Sequence, residues 1–313
     1  MLSQRELKVV ERHISETEEE GQRVKQGDHT WSVIKNGRLW VHNDTNRKQA
    51  FQDLYFYSVN STVGTLTCSH PIKLWDKRRL LTTRETARLQ GFPETFILPT
   101  RNCSMLLGNS VCVPCAAYAI SRICERNDKI RHLDVCSGIG GFSFALRMVV
   151  NDPVNVGFSE VNLPAIDCYL SNFQDTPSLG DAYKVKNWPK CDLLTAGFPC
   201  QPFSCSNSQN RRLNHESKDF YKIVLHAIQC SDATRVVLEN VKNFRTIGKD
   251  KFEDIIHTLK SLGFHVSFQI LNSVNSGVPQ QRQRLYIVAS KTSLPRAWDR
   301  PFLKKTTIEK IMY

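Results

Sequence analysis

Long apolar runs are missing from this chain. None of its 313 residues belongs to a run approaching the roughly 20 that a membrane span requires. The opening stretch, MLSQRELKVVERHISETEEE, is charged and holds no apolar leader core, so a soluble, intracellular protein without a membrane partner is expected. Internal repeats and low-complexity tracts are absent, which excludes solenoids and disordered linkers. No lysine follows a glycine loop in the P-loop manner, which argues against a nucleoside triphosphate ligand. The single CxxC, Cys112 to Cys115, has no second CxxC or histidine pair beside it, and structural zinc needs four ligands. Those two cysteines sit in VCVPCAAYAISRI, where small buried thiols are expected, and no metal is predicted. The 11 cysteines are odd in number and follow no leader, so reduced thiols are expected rather than a disulfide framework.

Acidic residues are also in short supply, 30 against 42 lysines and arginines, leaving a formal charge of +12. The excess is clustered at Arg211 and Arg212, at Arg282 and Arg284, and at Arg296, Arg300, Lys304, Lys305 and Lys310. Such clusters suit a polyanion, because neutralised phosphates release condensed counterions. The hydrophobic share of 41% and charged share of 23% are those of a globular protein long enough for about two domains.

Residues 3–26 read as a charged helix ending near Gly27. WSVIKNGRLWVH reads as a hairpin, with Asn36-Gly37 supplying the positive φ angles of a two-residue turn. DLYFYSVNSTVGTLTC is rich in aromatic and β-branched residues and reads as further strand. The first 80 or so residues thus form a small module with a β component. TTRETARLQGF predicts a helix capped by Thr82 or Thr83 and stopped by Gly91 and Pro93. Residues 111–124 predict a second, apolar helix. A polar linker, ERNDK, precedes IRHLDVCSGIGGFSFALRMV, an apolar strand running through a glycine turn into a helix. Strand candidates VNVGFSE, CDLLTAG, TRVVLEN, HVSFQIL and RLYIVAS then alternate with helical stretches at 163–173, 217–230 and 251–262. This alternation predicts an α/β fold with a Rossmann-like, doubly wound, mostly parallel sheet. The tail from Pro295 is basic and expected to be peripheral.

Four segments carry candidate chemistry. In DVCSGIGGF, Gly138, Gly140 and Gly141 permit close backbone approach to a ligand, although a tight strand-to-helix connection looks the same. Glu160 and Asp181 fall where the next two strands end, and acids there suit the hydroxyls and amine of an adenosine-containing cofactor. In CDLLTAGFPCQPFS, Pro199 and Pro202 stiffen a loop holding Cys200 at the sheet's carboxyl edge, the setting of a nucleophile. In RVVLENVKNF, Glu239 ends an apolar strand, where it can protonate a ring nitrogen or merely cap the next helix. In SGVPQQRQRLYIVAS, Gln280, Arg282 and Arg284 alternate along one face, and burying two arginines requires anionic or carbonyl partners.

DVCSGIGG, GFPCQPFS, ENV and QxRxR together resemble the signature of the cytosine-5 DNA methyltransferases, and TRETARLQGFP and GNSV match two further motifs of that family. The six motifs cover most of residues 80–290, but the family's last two come first, so the chain resembles a circularly permuted member. The resemblance implies S-adenosylmethionine as cofactor and duplex DNA as partner. It divides the chain into a target-recognition-like module at 1–80, a catalytic domain at 81–290, and a basic tail at 291–313 completing the small module. Within the catalytic domain, 81–126 carries the two displaced motifs and 130–290 the cofactor and catalytic motifs. By the same resemblance Cys200 attacks carbon 6 of a flipped cytosine, Glu239 holds ring nitrogen 3, Arg284 meets the ring carbonyl, and Arg282 supports the loop or the intermediate. Cys136, Gly138, Gly140, Gly141, Glu160, Val161, Asp181, Ala182, Pro199, Asn109 and Ser110 line the cofactor pocket. Arg211, Arg212 and Gln280 are assigned to DNA, and Thr62, Thr65 and Thr67 fall in the recognition stretch. The loop CSNSQNRRLNHESKDF carries no glycine, a departure from the family pattern. An RNA-directed enzyme of the same fold and a silent DNA-binding relative are the alternatives, the latter disfavoured by intact Cys200, Glu239 and Arg284.

Overall fold

A computed structural model describes residues 1–17, 19–27, 30–43, 54–67, 71–199, 219–299 and 306–312. Ser3 caps helix α1 (Gln4–Glu16) through a reciprocal capping box with Glu6, which satisfies two backbone donors at the helix start. The helix ends nearly three turns sooner than its charge pattern suggests. Thr17 is extended, and Gly21 at φ +90° turns the chain into strand β1 (Arg23–Gly27). Val24 is buried between exposed Arg23 and Lys25, a period of two that a charged segment this short conceals. The hairpin forms as expected from β2 (Thr30–Lys35) and β3 (Arg38–Asn43), with Asn36 and Gly37 both at positive φ. Of the next predicted strand only β4 (Leu54–Tyr57) is regular; β5 (Lys73–Leu74) and β6 (Arg79–Leu80) complete a six-stranded sheet in order 1-2-3-4-5-6.

Thr82, not Thr83, caps α2 (Thr83–Leu89), again through a capping box, here with Glu85. Arg79 closes on the same carboxylate with two contacts of 2.8 Å. Helix α3 (Cys103–Asn109) was not anticipated, and α4 (Val113–Ile120) is shorter than the predicted 111–124. Contrary to expectation, Cys103–Ile120 has the 18-residue length and apolarity of a short membrane span. It is broken where Ser110 and Cys112 are extended, and 67% of it is buried within the fold. That burial is what a core segment of a globular fold requires.

From here strand and helix alternate: β7 (Arg131–Val135), α5 (Gly141–Val149), β8 (Val154–Ser159), α6 (Leu163–Asn172), β9 (Ser178–Gly180), β10 (Leu193–Gly197), β11 (Arg235–Val241), β12 (His265–Asn272) and β13 (Gln283–Ser290). Helices Phe220–Cys230 and Lys249–Ser261 flank β11 in sequence. The second sheet runs 12-13-11-10-7-8-9. Strands β7 to β11 are parallel, and β13 is antiparallel to both neighbours. The fold is therefore the expected α/β, mostly parallel, doubly wound sheet. Successive residues face opposite layers: Val237 and Val288 pack with α4 and α5, whereas Val236, Leu238 and Ile287 pack with the helices on the other side. Each fully buried aliphatic contributes about 1.5–3 kcal/mol.

Two features join the sheets. Val63 bridges to Gln280. The tail is not peripheral: Ile308 and Ile311 are buried in one cluster with Tyr57, Val63, Leu74 and Leu81, and Arg88 donates to the Ile311 carbonyl at 2.8 Å.

Candidate active site

Parallel strands deliver their carboxyl ends to one edge, where side chains of different strands converge. Cys136 follows β7, Glu160 follows β8 and Asp181 follows β9. Burial raises the Cys136 thiol well above its ordinary pKa, and the charges of Glu160, Asp134 and Asp181 add to that effect. The three strand ends therefore lie near one another at this edge. Glu160 is fixed by the backbone: one oxygen accepts from Gly138 N at 2.9 Å, the other from Val161 N at 2.8 Å and Asn162 N at 2.9 Å. Asp181 accepts from Tyr183 N at 3.0 Å and lies 3.6 Å from Lys184 Nζ.

The glycines divide by role. A Cβ on Gly138 (φ +54°) would meet nothing within 4 Å, so the turn opens onto free space there. On Gly140 (φ +87°) it would lie 2.6 Å from Phe173, and on Gly141 2.6 Å from Val111 and 3.0 Å from Ser110 Oγ. The latter two are glycine because neighbouring segments pack against them, and this places Ser110 and Val111 beside the glycine turn. Asn109 closes α3 immediately before. Val161 is 66% exposed and Ala182 only 6%. An open glycine backbone with a carboxylate held beside it fits a nucleoside-bearing cofactor.

Strand β10 supplies the second half of the site. Gly197 pairs in register with Glu239, and a Cβ on Gly197 would lie 3.9 Å from Glu239 Oε2. Arg284, diagonal to Glu239 across β11 and β13, brings Nε to 3.2 Å from Oε1. Burial raises the Glu239 pKa, with Arg284 and then Arg282 opposing the shift. Burial thus favours the protonated carboxyl and the two guanidinium groups favour the carboxylate, opposed influences of the kind found on groups that exchange protons. Asn240, buried beside it, donates to the Phe198 carbonyl at 3.4 Å and accepts from Val241 N, tying the loop after β10 to β11. Pro199 is exposed in that loop. Cys200, Arg211 and Arg212 lie outside the described residues.

One assignment changes and one narrows, Arg282 keeping its supporting role. Gln280 is completely buried. It accepts from Leu66 N at 3.0 Å and donates to Leu89 O at 2.9 Å and Gln90 Oε1 at 3.2 Å. An amide satisfied from three sides inside the fold does not contact DNA, so Gln280 is a strut. It also precedes β13, which begins at Gln283, so it does not share a strand face with Arg284. Arg282 is 3% exposed and points at carbonyls: Nη1 reaches Leu66 at 3.3 Å and Gly108 at 3.1 Å, Nη2 reaches Ser110 at 2.9 Å. Burial lowers its pKa to about 10, with the Arg284 charge acting in the same direction. These contacts make it a clamp behind the site. In the recognition stretch, Thr65 donates to the Gln281 carbonyl at 3.0 Å, and Thr62 Oγ1 accepts from the Gln281 side chain at 3.5 Å.

A buried polar chain beneath the site went unread in the sequence. His132, Asp134 and Thr195 are fully buried, with Ser143 and Tyr169 against them. The signal was available, since RHLDV sets a histidine and an aspartate at period two in an otherwise apolar strand.

The chain matches the model of the C-5 cytosine-specific DNA methylases over residues 3–125 and 130–311, and it belongs to that family. Among curated proteins it is similar to the type II methyltransferase M.BanI of Aneurinibacillus aneurinilyticus, 34% identical over 173 residues, 54% of this chain and 40% of the relative. It is likewise similar to the type II methyltransferase M.NgoBI of Neisseria gonorrhoeae, 33% identical over 172 residues, 54% of this chain and 53% of the relative. The chain thus spans about half the length, or less, of these relatives. Among solved structures, the S. pombe Dnmt2 methyltransferase matches with a TM-score of 0.43 and 23% identity, over 54% of this chain and 53% of that one.

Proposed function

We propose that this chain transfers a methyl group from S-adenosylmethionine to carbon 5 of cytosine in duplex DNA. The observation that carries the proposal is the Glu239–Arg284 pair, Nε to Oε1 3.2 Å, standing over Gly197 just before the Cys200 loop in a member of this family. The Cys200 thiolate adds to carbon 6 of a cytosine turned out of the stack, because that atom is inaccessible in a paired base. Glu239 donates its proton to ring nitrogen 3, and Arg284 meets the ring carbonyl oxygen, so charge entering the ring is neutralised. S-adenosylmethionine, when bound, supplies an electrophilic methyl group. Carbon 5 takes that methyl and gives its proton to water, the sulfur–carbon 6 bond breaks to restore the thiolate, and nitrogen 3 returns its proton to Glu239. Glu160 and the open backbone at Gly138 would hold the cofactor's ribose side, with Asp181 toward its adenine and Val161, Ala182 and Asn109 about it. Arg211 and Arg212 would grip phosphate.

The motif order is that of a circular permutation. In support, the family match breaks between residues 125 and 130, and α4 packs against α5 across that linker. The sheet of β1 to β6, completed by Ile308 and Ile311, would serve as the recognition module, with 81–290 catalytic.

The test is methyl transfer from labelled S-adenosylmethionine to duplex DNA, single-stranded DNA and tRNA, with mapping of 5-methylcytosine. Label is expected in duplex DNA, and Cys200→Ala is expected to abolish transfer while cofactor binding persists. Label confined to tRNA would overturn the substrate, and normal transfer by Cys200→Ala would overturn the mechanism.

A further inference from the structure

We propose that Asp134 is a positioning residue acting as the neutral acid, at the head of a directed hydrogen-bond chain that locks the cofactor strand to the nucleophile strand. The proposal rests on the reading of those two loops given above. Asp134 Oδ1 lies 2.8 Å from Thr195 Oγ1, which lies 2.7 Å from His132 Nε2; His132 Nδ1 lies 3.0 Å from Asn155 Oδ1. Asp134 Oδ2 is 3.2 Å from Ser143 Oγ, itself 2.9 Å from Tyr169 Oη. The chain crosses β10, β7 and β8, and its side branch reaches α5 and α6. Asp134 stands two residues before Cys136, and Thr195 five before Cys200.

Counting protons gives the direction. The amide oxygen of Asn155 can only accept, so the single hydrogen of a neutral His132 ring sits on Nδ1. Nε2 must then accept the hydroxyl proton of Thr195. The Thr195 oxygen is left to accept, and only a protonated Asp134 can donate to it. Tyr169 donates to Ser143, which donates to Asp134 Oδ2, and each member is satisfied. An ionised Asp134 would claim the Thr195 proton and set the lone pair of Nδ1 against the amide oxygen. Turning the Asn155 amide repairs the count but leaves a bare carboxylate at 0% exposure, and protonating both nitrogens of His132 repairs it only by burying an imidazolium as well, also at 0% exposure; burial of charge disfavours both. The charged groups facing Asp134 offer no cation: Glu160 lies beyond β8, Tyr169 on α6 is neutral, and His132 on its own strand is neutral. Burial brings the Asp134 carboxyl up to about 7, Thr195 and Ser143 opposing and Glu160 assisting. It also brings His132 down to about 4, against the Asn155 hydrogen bond.

A raised carboxyl pKa has a definite sign. The stability conferred by the neutral acid is complete below the pKa of an unfolded aspartate, about 4, and is lost as pH rises through about 7.

The experiment compares wild type, Asp134→Asn, Asp134→Ala and Thr195→Val as full chains between pH 6 and 8.5. Cofactor affinity is read by calorimetry with S-adenosylmethionine, alongside thermal midpoints and kinetics. Asparagine reproduces the neutral acid, donating to Thr195 and accepting from Ser143. Asp134→Asn is therefore expected within about two-fold of wild type at pH 6 and flat with pH, while wild type loses about three- to ten-fold in cofactor affinity toward pH 8.5. Thr195→Val is expected to raise KM for the cofactor more than it lowers kcat. The proposal is overturned if Asp134→Asn is as impaired as Asp134→Ala at pH 6, or if it keeps the pH profile of wild type. Should Asp134→Ala not fold, Asp134→Asn and Thr195→Val still decide the matter. The midpoint-against-pH comparison needs no catalysis or cofactor, so failure of the functional reading leaves a separate signature.

Discussion

Replacing Arg282 by methionine removes a cation but keeps much of the volume. The guanidinium satisfies the carbonyls of Leu66, Gly108 and Ser110 at 3.3, 3.1 and 2.9 Å. Hydrogen bonds to a charged group contribute about 1.5–3 kcal/mol each, so the gross loss is large. Burying the cation offsets part of it, and Nε has no hydrogen-bond partner among the described residues. Removing one side of a buried charged arrangement costs about 3–5 kcal/mol net, because the carbonyls are left without donors. At 313 residues that corresponds to a thermal midpoint about 5–8 °C lower. Lysine, with one nitrogen for three carbonyls, should recover only part of the loss. Denaturant unfolding and calorimetric melts of Arg282→Met and Arg282→Lys are the assay. A change below about 1 kcal/mol in Arg282→Met, with kcat alone collapsing, would refute the clamp and return Arg282 to direct contact with the substrate.

Gly140→Ala combines a φ of +87° with a contact 2.6 Å from Phe173; cofactor affinity should fall at least ten-fold by calorimetry, for a strain of about 1–3 kcal/mol. Glu160→Ala frees the amides of Gly138, Val161 and Asn162. It should weaken cofactor binding well before DNA binding, so titrations of the two ligands showing equal losses would remove Glu160 from the cofactor site.

Local chemistry explains what was legible beforehand. Thr82 with Glu85, and Asn36 with Gly37, carry their instructions within four residues, and both the capped helix and the hairpin stand where they were read. Strands β10, β11 and β13 of the large sheet are apolar enough that their burial on both faces was visible as apolar runs. Gln280 was misassigned because its partners, Leu66, Leu89 and Gln90, lie some 190 or more positions away, beyond the reach of any pattern along the chain. The same distance hid the carbonyls around Arg282. The two-residue alternation of Arg23, Val24 and Lys25 was masked by charge at every other position. The segment broken at Ser110–Cys112 packs so closely on Gly141 that a Cβ there would lie 2.6 Å from Val111, a contact with another part of the chain that no local pattern announces.

Ile308 and Ile311, interred beside Tyr57 and Leu74, impose a schedule on biosynthesis. A ribosome releases residues 54–81 long before it makes residues 306–312, so an early-made part of the fold is sealed by a much later one. Until that later segment emerges, an apolar hollow stands open at the amino-terminal sheet, a site where chaperones or neighbouring nascent chains can intrude.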